Sequence, residues 1–136
     1  MSGISISGSA ASVTQNVYNN LIGDLRAPSV SNTSDAIRGI SLLGTYATSN
    51  VNVYYNSIYL NASGGANFST SGVFHTTSAT ATTANLTLRN NIIYNNSTAS
   101  GTGTTAAYRR SSTANGNYNA ASNRNLFWGG THLQHN

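Results

Sequence analysis

The chain has two carboxylates, three imidazoles and six guanidinium groups with which to do chemistry. Asp24 and Asp35 are its only acidic residues. Acid–base hydrolysis of a glycoside needs two carboxyl groups about 5–9.5 Å apart. These two stand on either side of a Ser-, Asn- and Pro-containing stretch, which gives no reason to bring them together. A zinc site could use His132 and His135 with His75 as a third ligand. Their short spacing falls in the last residues, and His75 belongs to a distant part of the chain. Metal-ligating histidines also need partners that orient them. Exposed or partly packed histidines are the simpler reading. A Ser–His–Asp hydrolase would want a Gly-x-Ser-x-Gly elbow, which is absent. No catalytic residue, metal or cofactor is therefore expected.

The arginines carry more. Arg89, Arg109, Arg110 and Arg124 fall in the second half, interleaved with Tyr94, Tyr108 and Trp128. Guanidinium groups bind carboxylates in a bidentate fork and stack on aromatic rings. The set could form a face for an anionic polysaccharide or cell-surface glycan. It could equally be scattered charge that keeps a nearly neutral surface soluble and its edges unpaired. A formal charge of +4 without a single lysine is a thin footprint for nucleic acid. Tyr59, Tyr94 and Trp128 share one position in a repeat. They read either as a sugar-stacking stripe or as cross-strand aromatic pairs.

The repeat is what must position these groups. Gln15 to Leu25 reads QNVYNNLIGDL, Val51 to Asn61 VNVYYNSIYLN, Leu86 to Asn96 LTLRNNIIYNN and Ala121 to Gly130 ASNRNLFWGG. Each is a strand, a sharp corner and a second strand. The corner asparagines Asn20, Asn56, Asn91 and Asn125 are 36, 35 and 34 residues apart. A second landmark opens each unit: Gly3-Ile-Ser-Ile, Gly39-Ile-Ser-Leu, Gly72-Val-Phe-His and the degenerate Ala107-Tyr-Arg-Arg. Coils are expected over about 3–38, 39–71, 72–106 and 107–130, with a tail at 131–136.

Because strand side chains alternate faces, the first strands (Ile4–Ser7, Ile40–Leu43, Val73–Thr76, Tyr108–Ser111) place Ile6, Leu42, His75 and Arg110 in one inward column. Two polar groups there are unexpected for a core. Val17, Val53, Leu88 and Ser122 form another inward column, as do Ile22, Ile58, Ile93 and Phe127. Gly23, Tyr59, Tyr94 and Trp128 face outward. Loops are expected from Ala27 to Asp35, Ala62 to Ser71 and Thr98 to Ala106. The threonine run beginning at Thr76 recurs in no other unit, which argues against an ordered threonine array.

Apolar residues do not recur at helical spacing, and Gly, Asn and β-branched residues are poor helix formers. The one Asn-Gly, Asn115-Gly116, is not placed to join paired strands of a sandwich. Like residues at like places favour stacking of each unit on the next. Only 6% of residues are charged, against roughly 25% in ordinary chains. Asn, Ser and Thr instead bond turns locally. There is no cysteine, so no disulfide framework. No apolar run approaches a membrane span and no signal peptide is visible.

This pattern resembles the parallel β-helix of the pectate-lyase-like superfamily, and more narrowly the repeats of large secreted bacterial surface proteins. The resemblance runs from about Gly3 to Gly130. It implies an all-β, right-handed parallel β-helix of about four coils, a handedness that the parallel-crossover rule also favours. It implies a ladder of stacked amides at Asn20, Asn56, Asn91 and Asn125. Polysaccharide lyases of that fold bind calcium through clustered acidic residues, and no such cluster occurs here. The expected role is a non-catalytic structural or adhesive module of a secreted or cell-surface protein. The alternative is a carbohydrate-binding or carbohydrate-active segment. Open ends should lead to end-to-end association or to continuation into further coils.

Overall fold

In the computed structural model, residues 1–7, 11–43, 48–76, 84–130 and 132–135 are described, the last stretch by its backbone alone. The threonine run beyond Thr76 and the side chains of His132 and His135 lie outside them. Twelve strands follow in order, and no helix occurs among the described residues. They are β1 (Ser2–Ile6), β2 (Thr14–Tyr18), β3 (Leu21–Ile22), β4 (Asn32–Leu42), β5 (Asn50–Tyr54), β6 (Ser57–Leu60), β7 (Phe68–His75), β8 (Asn85–Arg89), β9 (Ile92–Asn95), β10 (Thr105–Arg110), β11 (Leu126–Gly129) and β12 (His132–His135).

The strands build three parallel sheets, ordered β1-β4-β7-β10-β12, β2-β5-β8 and β11-β9-β6-β3. Each strand pairs with its counterpart one unit away, so the fold is a parallel β-solenoid. Its count is about three complete turns rather than the four expected. The fourth unit lacks a regular middle strand and pairs with β8 through isolated bridges at Tyr118 and Asn123. The tail does not end the stack: β12 pairs with β10 and continues the first sheet.

The expected columns hold. Val17, Val53 and Leu88 are in register, and so are Ile22, Ile58, Ile93 and Phe127. Ile6, Leu42, His75 and Arg110 also align as read from sequence. His75 and Arg110 are both buried, so the register is right and the core takes the polar groups in. The unit-opening glycines have a steric cause. A Cβ at Gly39 would stand 2.6 Å from Ile58 Cγ2 and 2.5 Å from the Gly72 carbonyl oxygen. Gly3 and Gly72 meet Ile22 and Ile93 in the same way. Close approach of the first strand to the third within a coil requires a residue without a side chain.

The loop boundaries need correction. β4 reaches back to Asn32 and β7 to Phe68, into stretches expected to be loop. Phe68 is fully buried. Between Asn32 and Ile37 the register shifts, and Asp35 there takes a left-handed φ of 74°. Asp35 is buried there, held by Arg38, Arg109 and Ser71.

Candidate functional site

The four corner asparagines form a continuous ladder. Asn56 Nδ2 donates to Asn91 Oδ1 at 3.0 Å, to Val17 O at 2.9 Å and to Tyr54 O at 3.0 Å. Its Oδ1 accepts from the backbone N–H and the amide of Asn20. Asn91 repeats the pattern onto Asn125 Oδ1, at 2.8 Å. An amide offers two donors and an acceptor with two lone pairs, so a buried corner is satisfied by copies of itself. The residue before each ladder asparagine is left-handed. Asn19, Tyr55, Asn90 and Arg124 have φ of 56°, 56°, 56° and 55°. This column rims the corner on the solvent side. Tyr54, Tyr55, Arg89, Asn90 and Arg124 line a cleft of about 180 Å³ there.

The structure thus brings Arg89 and Arg124 together and separates the other two arginines. Arg109 and Arg110 are neighbours on β10 with opposite surroundings. Arg109 Nη1 donates to Asp35 Oδ1 at 2.8 Å, to Thr33 O at 3.0 Å and to Thr104 Oγ1 at 3.4 Å. Arg38 approaches the same carboxylate at 3.4 Å and lies over the Phe74 ring. Ser71 Oγ donates to Asp35 Oδ2 at 2.9 Å. Asp35 is therefore the hub of an ion-pair network spanning three coils. Asp24 forms an exposed pair with Arg26 at 2.6 Å. Both carboxylates are taken, which leaves Arg89, Arg110 and Arg124 with no carboxylate partner among the described residues.

Arg110 points inward instead. It is 6% exposed, and its Nε has no hydrogen-bond partner. Its Nη2 donates to Thr113 O at 3.3 Å. Beside it, Tyr108 and His75 are also buried, so Tyr108 is not part of the outer aromatic face. His75 Nδ1 lies 3.0 Å from the Tyr108 hydroxyl, and Nε2 lies 3.1 Å from Asn117 Nδ2. Asn117 also donates to Thr76 O and Ala84 O. His75 Nε2 also lies 3.4 Å from the Ala84 carbonyl oxygen. Burial pushes the His75 pKa down to about 4; the Ala84 carbonyl opposes this and the Arg110 charge adds to it. Burial raises the Tyr108 phenol above its usual range, against the pull of Arg110.

The third predicted group, Tyr59, Tyr94 and Trp128, forms a continuous stack. Ring centroids are 5.8 and 5.6 Å apart with interplanar angles of 25° and 12°. Ring face meets ring face, so Tyr94 is sandwiched. The outer face of Tyr59 looks toward Gly23, which has no side chain to cover it. The neighbouring outward column adds Leu21, Ile92 and Leu126, all exposed, with Leu21 at 85%.

Sequence reasoning missed the Asp35 hub and the Tyr54–Tyr55 wall. The available signal for the wall was the residue preceding each ladder asparagine. Among the described residues no group of three His, Cys, Asp or Glu could hold a metal, and no helix is long and apolar enough to cross a membrane. No protein family, curated protein or solved structure matches the chain.

Proposed function

We propose that the chain is a non-catalytic structural or adhesive β-solenoid module of a secreted or cell-surface bacterial protein, of the pectate-lyase-like kind, that stacks end to end with a further coil. The observation that carries this is one-sided pairing. Among the described residues β1, β2 and β3 each hydrogen-bond to a single neighbouring strand, so the first coil offers three open edges around the partly buried Ile4, Ile6 and Leu25. Open parallel edges over an apolar cross-section are templates for another coil, from a second copy or from continuing chain. The exposed apolar columns on the third sheet add a flank suited to contact with another surface. Sedimentation velocity over a concentration series tests the proposal: reversible growth of the sedimenting species is expected. A single monomeric species at every concentration overturns it.

A second reading is favoured by one observation, the cleft that gathers Arg89 and Arg124 beside Tyr54 and Tyr55. Two guanidinium groups without carboxylate partners, flanked by tyrosines, fit an acidic glycan. Binding to an array of uronic-acid oligosaccharides, abolished in Arg89→Gln/Arg124→Gln, is the expected result. Equal binding of the double variant removes this reading.

A further inference from the structure

The fourth coil, where the middle strand is missing, holds a cleft of about 310 Å³ lined by Tyr108, Arg110, Asn115, Tyr118 and Ala120. Its cation is Arg110, which is 6% exposed. A guanidinium carries five N–H donors. Among the described residues only Nη2 finds an acceptor, the Thr113 carbonyl, and Nε is buried with none. A buried charge is costly unless paired and hydrogen-bonded. The chain has no glutamate and two aspartates, and these are held by Arg26 and by Arg38 with Arg109. No acidic side chain anywhere in the sequence remains for Arg110. The neighbouring groups do not supply a negative charge either: His75 is neutral, and the Tyr108 phenol keeps its proton.

We propose that this cleft binds a small organic carboxylate, with Arg110 as its counter-ion. The walls suit such a ligand. Tyr108 and Tyr118, with rings 5.7 Å apart and tilted by 47°, form an apolar angle for its carbon skeleton. Arg110 presents unused donors to its carboxylate, the charge-assisted geometry that arginine favours. The volume lies at the lower end of the range for ligand pockets, so the ligand is no larger than about one sugar ring. This site lies within the core of the fourth coil. It is separate from the cleft at Arg89 and Arg124 and does not depend on a role for that surface.

The test is a titration of the full chain with sodium galacturonate, with acetate, chloride and galactose as parallel arms. It is followed by melting temperature and by the arginine Nε–H resonances. Saturable stabilisation by galacturonate and acetate, with a shift of the Arg110 Nε–H signal, is expected. Galactose and equimolar chloride should have little effect. Arg110→Met should weaken carboxylate binding on the order of tenfold to a hundredfold, the scale of a charged hydrogen-bond pair. Arg26→Gln, in an exposed pair outside both clefts, should leave it unchanged. Equal shifts with chloride, retained affinity in Arg110→Met, or no saturable response overturns the proposal. If Arg110→Met does not fold, the wild-type resonance decides: an Arg110 signal unmoved by galacturonate also overturns it.

Discussion

Two inward columns run along the solenoid and handle polarity in opposite ways. One is Asn20, Asn56, Asn91 and Asn125, the same residue in every coil. The other is Ile6, Leu42, His75 and Arg110, which passes from aliphatic to cationic within four coils. The amide column closes on itself because each side chain donates along the stack and accepts from the other side. His75 and Arg110 do not bond to each other in this way among the described residues. Their partners come from off the column: Tyr108, Asn117 and the Thr113 carbonyl. Two of these lie in the stretch between β10 and β11 where the fourth coil gives up its middle strand. Stacking buries a polar group readily when a stacked copy completes it, as in the amide column. At His75 and Arg110 the partners come instead from irregular chain, and a cleft lies beside it.

The largest expected effect comes from breaking the amide column. Asn56→Ala removes the donor to Val17 O and Tyr54 O and the acceptor for Asn20. Each buried group left unpaired costs about 1–3 kcal/mol, and relaxation of the corner recovers some of this, so a loss of about 3 kcal/mol is expected. Asn16 is exposed and contacts the ladder's outer neighbour Asn52 at 2.9 Å. Asn16→Ala should change stability by less than about 0.5 kcal/mol. Denaturant unfolding of both variants measures the contrast, and equal losses would remove the distinction between inner and outer asparagines.

Acid acts on the other column. The folded-state pKa of His75 is about 4, against 6.5 for the free side chain. Between these values the unfolded chain binds more protons, so stability falls as pH drops from 6.5 toward 4. By about pH 5 the loss from this group reaches about 2 kcal/mol. Protonation would place a charge in a buried position beside the Arg110 guanidinium. Melting curves across this window should slope downward in the wild type and flatten in His75→Phe, which is less stable at neutral pH. An unchanged slope in that variant would place the acid sensitivity elsewhere.

The difference between the columns also explains what could be read from the sequence. Parallel stacking returns each position to its own kind every 34 to 36 residues, so corner, register and facing were legible from recurrence alone. His75 and Arg110 could be placed in the core column, but their partners could not. Asn117 follows Asn50 and Asn85 in register, yet its bonds to His75 and Thr76 reach outside that column. The same holds for Asp35 and Arg109, which are 74 residues apart and meet across an intervening coil. Nothing local links them, and the register shift at Asp35 has no repeat among the described strands. Phe68 was hidden for a related reason: it lies in a Ser- and Gly-rich stretch whose composition reads as loop. The aromatic stack was legible as a column, though the turning of ring face toward ring face was not.

The smallest expected effect lies just outside the ladder. Asn19, Tyr55, Asn90 and Arg124 share one left-handed backbone conformation. Asparagine tolerates that region, whereas a bulky side chain crowds the following carbonyl. Coils one and three thus carry the residue the corner prefers, and coils two and four do not. Tyr55 is 61% exposed, so little packing offsets its strain. Tyr55→Asn should stabilise the fold by about 1 kcal/mol at most, and Asn19→Tyr should cost a similar amount. Tyr55 also walls the cleft that holds Arg89 and Arg124. If that cleft takes an acidic glycan, the same Tyr55→Asn change should weaken binding while it strengthens the fold. Unfolding curves and a glycan titration on one variant read both quantities. A rise in stability with a fall in affinity would mark Tyr55 as a residue held in strain for the surface it makes. A loss of stability would show that its contacts outweigh its backbone cost, and the alternation of asparagine with other residues along this column would then have no steric cause.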